Sequence, residues 1–387
     1  MVFIRYRTHL ICPLTKKTSF FMPVYSFCLQ MQTRNENACL QENAGMIRGS
    51  GIVNGVNGLF TKRVKLYDFK KRRKNIMKSI SEFKPVIIGI DHGYGNIKTA
   101  HEVFRCGIEK MPGDAITSES VLAYHGVSYV IGESHLTYRG EKTVDENFYL
   151  LTLAAIAEEL KHKGGFTEAN LILAVGLPLA RVSGQKNAFR EYLMQNTEPE
   201  FDYKGKHYHL HIEKVLIFPQ GFAETAMIGK LPGDNMILDV GNGTMNIARV
   251  INGKPIEKSL VTIDYGVSFC VREIQSVLSR KIGRSVEEMK IEERIINGCR
   301  NRSDDISVET ADVAEKYAEE IIGQLRVYGY DEIDTRLHVF GGGGCLLKNY
   351  STLADRANVT FYDDICANAK GYELFAERKI SKEGTAA

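Results

Sequence analysis

The stretch Val86-Ile-Ile-Gly-Ile-Asp91-His-Gly93-Tyr-Gly95-Asn-Ile-Lys98 constrains the chain more than any other. A short, continuous, β-branched run is what a strand buried on both faces looks like. It ends in an aspartate, and two spaced glycines then let the backbone turn tightly and approach a ligand. Asp91 at such a strand tip can hold a magnesium ion, directly or through water, and Lys98 can neutralise a phosphate. Taken alone, the same residues equally describe an ordinary hairpin with a glycine turn.

A second stretch breaks the tie. Met236-Ile-Leu-Asp239-Val-Gly241-Asn242-Gly243-Thr244-Met-Asn246-Ile-Ala-Arg-Val250 repeats the scheme of apolar strand, aspartate, two glycines and second strand. Two such hairpins can face each other across a cleft and grip one metal-bound polyphosphate. A third turn, Leu337-His-Val-Phe-Gly341-Gly342-Gly343-Gly344, follows a strand, and its glycines permit flat packing against a base and ribose.

The order of these turns resembles that of the actin, sugar-kinase and heat-shock-chaperone ATPase superfamily. Within it, Asp91-His-Gly-Tyr-Gly-Asn96-Ile97-Lys98 and the segment Leu173-Ala-Val-Gly-Leu-Pro178 with its following helix resemble the ParM/StbA plasmid-segregation actins. The resemblance spans about Lys84 to Arg378. It implies an α/β, actin-like two-lobed ATPase fold, each lobe a mixed sheet flanked by helices, with ATP and magnesium in the interlobe cleft. It does not distinguish ATP from GTP. The implied boundaries are a basic extension over 1–84, a first lobe over 85–218, a second lobe with a returning helix over 219–378, and a mobile tail over 379–387.

By that resemblance, Asp91 and Asp239 organise the magnesium through its waters. The backbone amides of Gly93, Tyr94, Gly95 and Asn96 and of Gly241, Asn242, Gly243 and Thr244 hold the β- and γ-phosphates, with Lys98 adding charge. Gly341, Gly342, Gly343 and Gly344 carry the adenosine. In Val215-Leu-Ile-Phe-Pro219-Gln220-Gly-Phe-Ala-Glu224, the position that aims the attacking water is Gln220, where ParM has a glutamate and actin a glutamine. Glutamine can orient water without taking its proton, which suits slow, positioning-dominated hydrolysis. A helix-capping Gln220 is the plainer alternative, and Glu224 the competing catalytic residue. Asn242 and Asn246 stand where relatives offer carboxylates, which should weaken the metal grip.

The implied function is a nucleotide-driven filament that self-associates end to end and segregates plasmid or mobile-element DNA through a DNA-binding adaptor at a centromere-like site. Two alternatives are a small-molecule kinase, for which no substrate-facing base can be placed, and a chaperone-like ATPase, for which no substrate domain remains.

Charge locates any DNA contact elsewhere. Residues 1–84 hold 16 Lys and Arg against 4 Asp and Glu, leaving 34 basic and 43 acidic residues beyond. The mildly acidic body suits a cytoplasmic protein and has no nucleic-acid footprint, so no direct DNA binding is expected. No apolar run reaches the roughly 18 residues of a membrane span, and Pro23 interrupts the weakly signal-like Ser19–Met31. Cysteines at 12, 28, 39, 106, 270, 299, 345 and 366 form no Cys-x-x-Cys pair, so neither zinc-finger chemistry nor a disulfide framework is indicated. Lys71-Arg-Arg-Lys74 can be encoded by purine-rich codons that resemble a ribosome-binding site just before Met77; the expectation is a native start there.

Periodicity predicts one strand over Ile97–Phe104, strands at Ser120–Ala123, Val127–Gly132 and Leu171–Val175, and an amphipathic helix over Asn147–Lys161. Ser183 is expected to cap a helix through Met194. A helix opening at Gly266 should present free amides. Glu315, Lys316 and Glu319, on a later helix, could touch the nucleotide, with a charged surface face the plainer reading. Tyr203–His211 alternates like a hairpin, and His207, His209 and His211 share one strand face. With no carboxylate or cysteine nearby, a solvated face is expected rather than a metal site.

Overall fold

The computed structural model describes residues 80–111, 120–132, 136, 141–283, 285–299 and 304–385. The basic block, the proposed start at Met77 and the signal-like segment all lie outside these residues. Within the unit Asp68–Ala387 the described strands form two mixed sheets, each with helices packed on it.

The first sheet is built from β1 (Val86–His92), β2 (Asn96–Lys98), β3 (Val103–Arg105), β4 (Ile108–Lys110), β5 (Val121–Tyr124), β6 (Val127–Ile131), β7 (Glu168–Leu177), β8 (Glu200–Tyr203) and β9 (Lys206–Pro219). Their spatial order is β3-β2-β1-β7-β9-β8-β5-β6-β4. The apolar runs of β1 and β7 lie parallel in the middle, and β7 is in turn parallel to β9, as strands buried on both faces should. The expected single strand over Ile97–Phe104 is two strands, β2 and β3. Thr99 breaks it: its hydroxyl accepts from the amides of His101 and Glu102, and its own amide donates to Glu102 O.

The helix Asn147–His162 is not amphipathic. Every residue from Phe148 to Leu160 is buried, including Glu158 and Glu159. Its polar residues face partners rather than water: Glu158 accepts from Tyr203 Oη at 2.9 Å, and Glu159 meets His101 Nδ1 at 2.7 Å. Ser183 is not a cap either. The helix Val182–Leu193 begins one residue before it, after the short 3-10 turn Leu179–Arg181, and no side chain caps it.

The second sheet comprises β10 (Asp234–Val240), β11 (Met245–Ile251), β12 (Lys254–Pro255), β13 (Val261–Ile263), β14 (Arg336–Phe340) and β15 (Val359–Phe361). The order is β12-β11-β10-β14-β15, with β13 beside β11. Its core lies against the helices Val267–Ile282, Glu288–Asn297 and Asp305–Val327, the last capped by Asp304 accepting from Ser307 N. Both sheets therefore centre on an antiparallel hairpin flanked by a parallel strand: β1–β2 beside β7, and β10–β11 beside β14.

The last helix, Ala367–Thr385, runs beyond residue 378, where the sequence suggests a polar tail. It packs on β1 and β7 of the first sheet. Gly89 and Gly176 allow that approach, since a Cβ on either would lie 2.0 Å from Ala369 O or 1.9 Å from Tyr372 Oη.

Candidate functional site: a cleft between two aspartate-tipped hairpins

The two hairpins are built to one pattern. Asp91 is the cross-strand partner of Lys98, and Asp239 that of Asn246. In each, the glycine two residues after the aspartate donates its amide to the carbonyl three residues on: Gly93 N to Asn96 O at 3.1 Å, and Gly241 N to Thr244 O at 2.9 Å. Those two amides close the turns and are not available to a ligand, which corrects the expectation that every amide of both loops would hold phosphate. The loops meet at Gly95, where a Cβ would stand 3.0 Å from the Asn242 side chain.

Between them lies a cavity of about 200 Å³. Asp91, Gly93 to Asn96, Lys98 and Gln220 line it together with Gly241 to Thr244, Gly342 and Gly343. Asp239 is only 2% exposed and sits behind this lining, directly under Gly341, where a Cβ would fall 2.5 Å from Asp239 Oδ1. Gly341 has φ +81°, so glycine is favoured there for its backbone as well as its space. Gly344 is buried at the start of the helix Gly344–Tyr350, with its amide donating to Gly341 O. Glu315, Lys316 and Glu319 do not line the cavity; Glu292, Ile295 and Ile296 of the Glu288–Asn297 helix do.

The helix Val267–Ile282 does not present free amides. Val267 N and Ser268 N donate to Gly241 O and Asn242 O at 3.0 Å each. The second loop itself caps the helix, and Gly266 is small because a Cβ would fall 2.4 Å from Asn242 O.

Buried charge concentrates under the cavity. Gln220 Nε2 donates to Asp91 Oδ1 at 3.3 Å, and Lys98 Nζ to Asp91 Oδ2 at 3.4 Å. Asp239 Oδ2 accepts from Asn246 Nδ2 at 3.3 Å and from Asn368 Nδ2 at 3.2 Å. Burial, and then the nearby Asp91, hold the Asp239 pKa above its ordinary value despite Lys98 and those two amides. Glu224, one turn beyond Gln220 and 1% exposed, is pushed well above the carboxylate range by burial and by Asp239. Its Oε2 is buried without a hydrogen-bond partner. Burial alone would lower Lys98, but the attraction of Asp91, Asp239 and Glu224 leaves it raised.

Three buried carboxylates around Lys98, with an orphaned carboxylate oxygen among them, fit a hard divalent cation such as magnesium. The donors are all oxygen, and an added double positive charge would favour the ionised forms of Asp239 and Glu224, which burial first and the neighbouring carboxylates second disfavour.

Three residues add to the site without a role assigned to them from the sequence. Lys142 lines the cavity, 6% exposed, with Nζ 6.0 Å and 5.8 Å from the ring centroids of Phe148 and Phe189 and 3.4 Å from Gly176 O. Burial lowers it to about 8, against the pull of Asp91. His92, buried next to Asp91, donates or accepts at Thr152 Oγ1 (2.8 Å), and burial followed by Lys142 keeps it neutral well below its usual pKa. Asn368, near the start of the last helix, ties that helix to the second hairpin, accepting from Gly221 N at 2.9 Å while donating to Asp239. Two ion pairs link the lobes: Arg105–Glu292 at 3.4 Å and Arg181–Asp264 at 2.6 Å.

Two lobes, each a mixed sheet tipped by a glycine-rich hairpin, with a cleft between them, define an actin-like fold. Residues 89–222 match the family model for the N-terminal domain of actin-like proteins, and residues 237–351 match that for the C-terminal domain of the archaeal actin homologue MreB-like. The chain belongs to the actin-like proteins. No curated protein matches it in sequence. Solved structures share its fold. The archaeal actin homologue Ta0583 is 18% identical with a TM-score of 0.63, over 76% of this chain and 99% of that one. The pSK41 ParM protein is 18% identical with a TM-score of 0.58, over 76% and 98%. A ParM from Clostridium botulinum is 17% identical with a TM-score of 0.61, over 76% and 100%.

Proposed function

We propose that this protein is a nucleotide-dependent, filament-forming ATPase of the cytoplasm that moves plasmid or mobile-element DNA through an adaptor. The carrying observation is the pair of aspartate-tipped hairpins of identical register meeting at one cavity. Relatives agree with it: Ta0583 has been solved in complex with ADP, and the C. botulinum ParM and Alp12 as filaments.

In this reading Asp91 and Asp239 hold magnesium through its waters, with Glu224 completing the charge. When bound, the ion neutralises phosphate oxygens. Lys98 and Lys142 supply positive charge from the first lobe, and the loop backbones of Tyr94 to Asn96 and Asn242 to Thr244, which line the cavity, face the phosphates. Gly342, with open space where a Cβ would go, leaves room for the nucleoside, while Gly343 lets the turn close onto Val240 and Val267. Gln220, anchored through its amide to Asp91, keeps its carbonyl oxygen to orient a water. The Asp91 and Asp239 roles carry the whole scheme.

Sedimentation with ATP, with ADP and without nucleotide tests the polymer, and nucleotide affinity of Asp91→Ala and Asp239→Ala in magnesium buffer tests the site. Pelleting that requires ATP, with affinity lost in both variants, is expected. Soluble protein at high concentration with ATP would overturn the filament; unchanged affinity in both variants would overturn the site.

A further inference from the structure

The outer face of the β8–β9 hairpin carries a cluster unrelated to the cleft. The expectation of a solvated face rested on there being no carboxylate near the histidines. The fold supplies them. The two-residue turn Lys204-Gly205, both at positive φ, brings β8 back along β9, so that Glu200 is the direct partner of His209 and Asp202 that of His207. On the other side, Glu168 of β7 stands opposite His209. Side chains alternate along a strand, so these five residues share one face. The opposite face is pinned by Phe201 and Tyr208, buried and stacked at 5.2 Å.

We propose that His207, His209 and Glu200 form a site for a borderline divalent metal ion, zinc first among them. One ligand atom from each already lies within 4.8 Å of the others. Ligands of a tetrahedral zinc sit about 2.0–2.2 Å from the ion and hence roughly 3.3 Å from one another, so side-chain rotation alone closes the set. His207 Nε2 is 3.2 Å and His209 Nδ1 3.9 Å from Glu200 Oε1. Asp202 Oδ1, 2.7 Å from His207 Nδ1, occupies the other ring nitrogen and directs Nε2 toward the site, the role a carboxylate behind a metal-bound histidine commonly has. Imidazole and carboxylate donors suit zinc, nickel or copper better than magnesium.

His207 and His209 are open to solvent, with side chains 47% and 26% exposed, so an ion can enter. His211, the third histidine of the run, stands outside the cluster. The site is separate from the cleft. β9 continues unbroken from it to Pro219, and about ten residues of strand put it roughly 30 Å from Gln220. A bound ion would clip β8 to β9 and add a charge to a face otherwise rich in carboxylates.

Zinc chloride titrated calorimetrically into metal-stripped full-length protein, without nucleotide, tests this. One site of micromolar affinity or tighter is expected, weakened at least tenfold in His209→Ala and lost in the His207→Ala/His209→Ala pair. His162→Ala, an exposed histidine paired with Glu102, should bind as the parent does. Zinc uptake of equal stoichiometry and affinity in the parent and the double variant would overturn the proposal. Should the variants fail circular dichroism controls, imidazole nitrogen spectra of the parent decide. Two histidines moving to metal-bound shifts on adding zinc support the site; an unchanged spectrum overturns it.

Discussion

Lys98 and Asn246 hold equivalent places in two equivalent hairpins. Each lies seven residues after the strand-tip aspartate and is its cross-strand partner, and each donates to it, at 3.4 Å and 3.3 Å. Only one of the pair is charged. The site is therefore electrostatically lopsided: at these equivalent positions the first lobe brings a cation and the second an amide. Lys98→Met should cost about 2 kcal/mol of nucleotide binding, roughly thirtyfold in affinity, because a charged donor is lost. Asn246→Ala should cost less than tenfold. Fluorescent-nucleotide titrations compare them; equal losses would show that the second hairpin contributes as much charge stabilisation as the first.

Under the proposed function, Lys142 should make nucleotide binding a proton-linked event. Its folded pKa of about 8 lies below the roughly 10.4 of a free lysine. A depressed pKa means that the group's contribution to stability is present above the unfolded value and lost as pH falls through about 8. At pH 7 the buried charge costs the nucleotide-free protein at most about 3 kcal/mol. An arriving polyphosphate restores the charged form. At pH 8.5 binding should take up a fraction of a proton, seen as a binding enthalpy that varies with buffer ionisation enthalpy, and Lys142→Met should abolish this. The same variant should melt higher without nucleotide and bind nucleotide more weakly.

The two hairpins were legible because each is a local signal: an apolar run, an aspartate and spaced glycines all lie within one strand-turn-strand unit. What escaped depends on contacts between distant segments. Lys142 carries no motif, and becomes a cleft residue only because Phe148 and Phe189 bury it. Asn368 reads as an ordinary helix residue until the last helix reaches Asp239. The Asn147–His162 helix shows helical periodicity, yet Glu158 and Glu159 are buried because Tyr203 and His101 lie beside them. Strand register hid the partners of His207 and His209: Glu200 stands opposite His209 only once the turn is set at Lys204-Gly205, which the alternation of residues 203–211 alone does not fix.

Two glycine substitutions should move stability in opposite directions. Gly89 donates its amide to Glu373 Oε1 at 2.9 Å, and a Cβ there would meet the Ala369 carbonyl, which is backbone and cannot swing aside. Gly89→Ala should cost about 3 kcal/mol by forcing the last helix off β1. Gly184 lies inside the Val182–Leu193 helix with open space where a Cβ would go. Gly184→Ala should gain about 0.5–1 kcal/mol from helix propensity. Thermal melts of the two variants against the parent check both signs, and a stable Gly89→Ala protein would mean the last helix is not held as closely as the structure has it.

Under the proposed function, substitutions at Gln220 should separate hydrolysis from binding. It is 9% exposed, its amide nitrogen donates to Asp91, and its backbone amide donates to Leu177 O at 2.8 Å, so both ends of the residue are fixed to the first sheet. In the proposed reaction, a side chain held this way would position a water without carrying phosphate charge. Gln220→Ala should leave nucleotide affinity within about threefold while slowing phosphate release ten- to a hundredfold, or roughly 1.4–2.7 kcal/mol of barrier. Gln220→Glu is the sharper case. It sets a second carboxylate about 3.3 Å from Asp91 Oδ1, and two like charges so close cannot both ionise without a counter-ion. That variant should melt lower than the parent in metal-free buffer and recover on adding magnesium. Glu224 is the competing residue, and its orphaned oxygen makes it the natural control. If Glu224→Gln slows phosphate release as much as Gln220→Ala does, the water is aimed from one turn further along the chain.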